Sequence, residues 1–204
     1  MIKAFIDWYL SALADGGYTV VALLMAIESS VVPLPSELII PPAAHLAVTT
    51  GQLSLAGIVA AATVGSWLGA SVMYAIARHL GRPVVERFGR YVLISPETLA
   101  RAERWAASFG PYGVFVARLL PVIRHLIGLP AGLVRMSFLR YSLATLVGSA
   151  IWSTVLVVVG VAAGQDSALL AGDLHRVTIW ILGLLIVLAM LYWAFVHRRM
   201  QRQP

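Results

Sequence analysis

The chain has 204 residues, 60% of them hydrophobic and only 12% charged, with a mean hydropathy of +0.86. A soluble domain carries about 25% charged residues, so there is too little polar surface here for water to be the solvent of most of the chain. The net charge of +6 is unevenly placed: Lys3 is the sole basic side chain before Arg78, and every arginine lies from Arg78 onward. These arginines flank or interrupt apolar segments and form no continuous stripe, which excludes a nucleic-acid-binding surface. With no cysteine in the chain, disulfides, thiolate catalysis and Cys-ligated metals are excluded as well.

Residues 1–16 read as a short amphipathic helix ending at Gly16-Gly17; Asp7 sits where the apolar core of a secretory signal would lie. Residues 18–48 are apolar but interrupted by Glu28, by Pro33-Leu34-Pro35-Ser36-Glu37 and by Pro41-Pro42. Proline removes a backbone donor and disfavours helix in the residue before it. Two half-helices around a broken centre therefore fit this stretch better than one rod. Residues 53–77 are apolar and rich in small residues, including Gly65-x-x-x-Gly69, which permits close helix approach. Such a motif leaves an intrachain role and a homodimer both open.

Residues 78–109 form a polar connector carrying Arg78, Arg82, Arg87, Arg90, Arg101 and Arg104. Within it, Ser95-Pro96-Glu97 has the chemistry of a helix start, and the helix it opens is expected to lie at the membrane surface. Residues 112–133 repeat the broken pattern, interrupted by Arg118, Pro121, Arg124 and Pro130. Residues 138–163 and 178–196 are long enough, at about 1.5 Å per residue, to cross a hydrocarbon core of about 30 Å.

At an offset of 83 positions the segment from Leu53 matches that from Met136, with Val64-Gly65-Ser66 falling on Val147-Gly148-Ser149. The expected fold is therefore an all-α integral membrane protein, one domain over 1–204. It would hold two inverted repeats, each a proline-broken re-entrant hairpin (18–48 and 112–133) plus a transmembrane helix, and an extra C-terminal transmembrane helix. Non-helical backbone at membrane depth is tolerated where protein buries it or water reaches it, and broken helices meeting at midplane are a transporter architecture. The basic tail His197-Arg198-Arg199 and the arginine-rich connector both belong on the cytoplasmic side.

Four ionisable residues fall inside the two hairpins: Glu28, Glu37, Arg118 and Arg124. Each charge at the bilayer centre costs about 2.5–3.5 kcal/mol on insertion scales, so such residues mark a functional cavity more often than a structural pair. Arginine presents a planar fork matched to phosphate oxygens, and Arg118 and Arg124, on either side of Pro121, are placed to meet one phosphate. A carboxylate in a cavity can take up and release a proton, the role expected of Glu28 and Glu37. His125, beside Arg124, is a further phosphate-binding or proton-relay candidate; Pro33, Pro35 and Pro121 mark the hairpin breaks. The tryptophans read mostly as interfacial belt or packing residues. No cluster has metal-ligand spacing, and no cofactor is expected.

Three motifs together resemble the signature of the DedA family, bacterial inner-membrane proteins related to the VTT-domain lipid scramblases. They are E-x4-P-x-P-x-E (Glu28, Pro33, Pro35, Glu37), G-x3-G-x4-Y-x3-R-x2-G-R (Gly65, Gly69, Tyr74, Arg78, Gly81, Arg82) and F-x-A-R-x-x-P-x-x-R (Phe115, Arg118, Pro121, Arg124). The resemblance implies that Glu28 and Glu37 occupy the family's essential acidic positions, and Arg118 and Arg124 its essential arginines. It implies a proton-coupled flippase of an anionic lipid, with undecaprenyl phosphate recycling across the inner membrane foremost and a phospholipid such as phosphatidylethanolamine the alternative cargo. From another class, a membrane-embedded lipid phosphatase or transferase would use His125 as nucleophile. A small-ion or osmolyte transporter would need the acids but not two phosphate-matched arginines.

Overall fold

The computed structural model describes residues 2–30, 35–89, 96–120 and 123–165. The chain divides into a unit over residues 1–161 and a second over 162–204. Everything below concerns the first; the expected span at 178–196 and the basic tail lie outside the described residues, as do Pro33 and Pro121.

Among the described residues there are six α-helices and no strand: α1 (Ile2–Glu28), α2 (Ile40–Thr50), α3 (Leu55–Gly89), α4 (Pro96–Arg118), α5 (Gly128–Leu133) and α6 (Phe138–Gln165). Two are long and apolar enough to cross a membrane, Leu55–Gly81 within α3 and Phe138–Ala162 within α6.

Three of the long helices are broken at glycine. Gly17 in α1, Gly81 in α3 and Gly110 in α4 take φ values of 51°, 74° and 53°, a region that only glycine enters freely. Each break separates an apolar run from a more polar one, so α1 and α4 both change direction before entering their broken segments. Pro41-Pro42 do not interrupt a helix. They lie in the first turn of α2, where the missing N–H would have no partner anyway. α2 then stops at Gly51, left-handed at φ 69°, whose N–H returns to the Ala47 carbonyl. α3 starts on Ser54, whose Oγ accepts from the Gly57 N–H at 3.0 Å. The Tyr18 hydroxyl ties that start back to α1, donating to Ser54 Oγ at 3.2 Å and accepting from the Ser54 N–H at 2.8 Å.

The motif Gly65-x-x-x-Gly69 is used within the chain. A Cβ on Gly65 would fall 2.2 Å from the Ala22 carbonyl oxygen, and one on Gly69 would fall 2.1 Å from that of Ala26. The backbones of α1 and α3 therefore touch, which no residue with a side chain would permit. Gly132 of α5 approaches the Tyr74 carbonyl of α3 in the same way, and Gly160 of α6 approaches Pro41 of α2. A buried cluster of Ala70, Tyr74, Val114, Ala117, Ile127, Ala131 and Tyr141 joins α3, α4, α5 and α6. Outward from it, Leu139, Leu143, Val147, Ile151 and Val158 lie exposed along one face of α6, an apolar surface suited to lipid.

Candidate functional site

Each broken segment narrows to a single 3-10 turn. The first, Ser36–Leu38, follows Pro35; the second is Ile123–His125. The two turns meet.

At their junction Arg124 Nη2 stands 3.0 Å from Glu28 Oε1, with side-chain exposures of 3% and 0%. Glu28 is the last residue of α1. Its other oxygen accepts the Ser29 hydroxyl at 2.7 Å, and Ser66 Oγ of α3 lies 3.2 Å from Ser29 Oγ. His125 Nδ1 faces the same Glu28 Oε1 at 3.6 Å. Arg124 also donates through Nη1 to Ser36 Oγ in the first turn, at 3.3 Å. Ser36 Oγ accepts a second bond from Trp152 Nε1, again at 3.3 Å, while the Trp152 ring lies 5.3 Å beneath the Arg124 guanidinium. Cation–π contact of this kind gains strength out of water. Three elements, α1, the first turn and α6, thus hold one arginine.

Arg118 is placed differently. It ends α4 and is 2% exposed, yet among the described residues no carboxylate lies within ion-pair distance; Nη2 donates to the Tyr141 hydroxyl of α6 at 3.2 Å, and Nε is buried without a partner there. Gly148 lets its stem lie against α6, since a Cβ there would sit 2.6 Å from Arg118 Cβ. Tyr141 in turn donates to the Ala70 carbonyl at 3.0 Å and stacks on Tyr74, ring centroids 4.7 Å apart. Tyr74 donates to the Met136 carbonyl and accepts from Arg78, which also reaches Met136 at 3.0 Å. One arginine is therefore in direct contact with a carboxylate, and the other feels Glu28 only from a distance, an expensive arrangement in the interior without a ligand.

Of the residues singled out in the sequence, the fold brings together Glu28, Arg124 and His125. It sets Arg118 on the neighbouring helix end, leaves Glu37 half-buried beside Ser36, and leaves Pro35 exposed. Ser29, Ser36, Ser66, Tyr141 and Trp152 were not legible as site residues. Trp152 in particular is neither belt nor bulk packing: it is buried and hydrogen-bonded at the centre of the site. The one available signal was spacing, because Tyr141 and Trp152 stand eleven positions apart and so share a face of α6. Among the described residues no three of His, Cys, Asp and Glu cluster as metal ligands would.

The VTT domain model matches residues 40–162. The chain belongs to the VTT-domain, or DedA, family. Over 191 residues, 90% of this chain and 88% of the relative, it is 36% identical to a Lactococcus lactis protein named alkaline phosphatase-like protein. It is 31% identical over 166 residues to undecaprenyl phosphate transporter A of Bacillus subtilis, covering 81% of this chain and 79% of the relative. It is 29% identical over 182 residues to the Staphylococcus aureus protein of the same name, covering 87% and 89%. No solved structure matches the chain. This DedA-family member is a membrane protein, and the matched region holds α2 through the span in α6, including both buried arginines.

Proposed function

We propose that this protein is a proton-coupled translocase of an anionic lipid, with undecaprenyl phosphate as cargo, in the bacterial inner membrane. The observation that carries the reading is the contrast between Arg124, in contact with Glu28, and Arg118, equally buried and with no carboxylate in contact among the described residues. A phosphate that reaches the site finds Arg118 ready to bind it. Arg124 becomes available only when Glu28 gives up its hold, and protonating Glu28 removes the charge that holds it. Proton uptake at Glu28 and phosphate capture at Arg124 are then one event, which is coupling in its simplest form. Glu37, beside Ser36 in the first turn, supplies a second proton site, and His125, facing Glu28, connects the two. The B. subtilis and S. aureus relatives named for undecaprenyl phosphate support this choice of cargo.

In this reading both broken segments are re-entrant, the repeats are inverted, and the C-terminus is cytoplasmic. A phospholipid such as phosphatidylethanolamine is the competing cargo. A second reading, a membrane-embedded phosphatase, draws on the contact between His125 Nδ1 and Glu28 Oε1, a His–carboxylate pair that could orient a nucleophile.

The deciding experiment follows headgroup exposure in proteoliposomes under an imposed pH gradient, with undecaprenyl phosphate and phosphatidylethanolamine compared and inorganic phosphate assayed in parallel. Gradient-driven movement of undecaprenyl phosphate, lost in Arg118→Ala and uncoupled from the gradient in Glu28→Gln, is the expected result. Phosphate release without lipid movement would move the enzyme reading to the front. Movement of phosphatidylethanolamine alone would replace the cargo.

A further inference from the structure

The hydroxyls of the spanning helices divide by face. Thr154, outward on α6, returns its proton to the Ala150 carbonyl at 2.8 Å, and Thr63 on α3 does the same to Val59 at 2.7 Å. This is how a hydroxyl satisfies itself on an apolar helix. Ser142 and Ser153 face inward on α6, are buried, and have no hydrogen-bond partner among the described residues, while Thr145, equally buried, has only the Tyr141 hydroxyl beside it. Ser149 is buried on the same face. Positions 142, 145, 149 and 153 follow the three-and-four spacing of one helical stripe. An unpaired buried hydroxyl is costly, and two in one row, with Thr145 and Ser149 between them, call for an occupant that supplies partners.

Two cations lie along this helix. Arg118 lies along α6 from Gly148, where its Cβ packs, to Tyr141, which its Nη2 reaches; this stretch carries Thr145, and Arg118 Nε is itself buried and unpartnered. Arg124 lies over Trp152. Tyr141 and Trp152 are separated by about 16 Å of helix at about 1.5 Å per residue, roughly half of a 30 Å hydrocarbon core. The two arginines themselves lie close enough to repel each other and both attract Glu28, so a phosphate handed from one to the other moves past the hydroxyls beside them.

We infer that the inward face of α6 is a polar track for the lipid phosphate. Thr145 and Ser149 donate to headgroup oxygens as the phosphate passes between Arg118 and Arg124, and Ser142 and Ser153 extend the row at either end. The acyl chain stays outside, against the apolar face of the same helix. The inference rests on the translocase reading and adds the path to it. These hydroxyls are positioning residues for the moving headgroup and leave the resting ion pair untouched.

The test compares Thr145→Val and the pair Thr145→Val/Ser149→Ala with wild type and with Thr154→Val, whose hydroxyl is outward. Undecaprenyl phosphate binding to the purified protein is read by thermal shift, and its movement by headgroup exposure in proteoliposomes. Binding within about twofold of wild type, with movement slowed about tenfold or more in the pair, is expected; each tenfold corresponds to about 1.4 kcal/mol in the barrier. Thr145→Ser should restore the rate, and Thr154→Val should match wild type. Wild-type movement in the pair overturns the track while leaving the translocase intact. Binding and movement falling together overturn it too, because the hydroxyls would then belong to a static site. An unchanged rate with lost gradient dependence also overturns it, since the row would then carry protons. A wild-type protein that moves no lipid ends the translocase reading and the track together.

Discussion

Glu28 and Arg124, one from each half of the chain, meet at 3.0 Å with both side chains shut away from solvent. Neither charge could be buried alone without several kcal/mol of desolvation, and each is further held by a serine hydroxyl, Ser29 for the acid and Ser36 for the base. The pair therefore pins the end of α1 and the two 3-10 turns to one another.

Removing one partner is expected to cost more than removing both. Arg124→Met leaves the Glu28 carboxylate buried without its ion-pair partner, a loss of about 3–5 kcal/mol, whereas Glu28→Gln/Arg124→Met together should lose much less. Thermal unfolding of the purified variants in detergent completes the double-mutant cycle. Additive losses would show that the two side chains do not depend on each other.

Trp152 offers a finer test. Trp152→Phe keeps a ring under Arg124 but removes the N–H that reaches Ser36, at an expected cost of about 1 kcal/mol. Trp152→Leu also removes the cation–π contact, with about 0.5–2 kcal/mol more at stake. A ranking of wild type, Phe and Leu in melting temperature, mirrored in lipid-binding affinity, is the expected outcome; equal behaviour of Phe and Leu would show the ring contact to be idle.

Gly69→Ala should be among the most damaging single-methyl changes in the protein. The new Cβ would meet the Ala26 carbonyl at 2.1 Å, and the obstacle is backbone, which cannot swing aside. Separation of α1 from α3 would disturb Glu28 and Ser66 together. Yield of monodisperse protein on size exclusion should fall sharply, while Ala75→Leu, on the exposed side of α3, should stay within about 0.5 kcal/mol of wild type.

Arg135 predicts a change in the other direction. It takes φ 51° between α5 and α6, where its N–H reaches the Gly132 carbonyl and the next N–H reaches Ala131. That is the left-handed position closing a helix, and glycine occupies it without a Cβ clash. Arg135→Gly should raise stability by about 1 kcal/mol, read as a higher midpoint of thermal unfolding with transport unchanged.

Much of this protein was settled by the order of its residues. Long runs without charge can be solvated only by lipid, which made the chain a membrane protein and located the spans in α3 and α6 before any coordinate. Glu28, Arg118 and Arg124 stood out because a charge in such a run is too costly to be incidental. Pairing and facing were decided by the tertiary structure. Gly65 and Gly69 announced a close approach but could not name α1 as the neighbour, since small residues permit contact without choosing it. Both arginines looked alike in sequence, and only the fold gave one of them a carboxylate and the other a tyrosine. On α6 the apolar pattern runs all round the helix, so hydropathy has no period to show which face turns inward. Burial alone separates Thr154, bonded to its own helix, from Thr145, turned inward beside Tyr141.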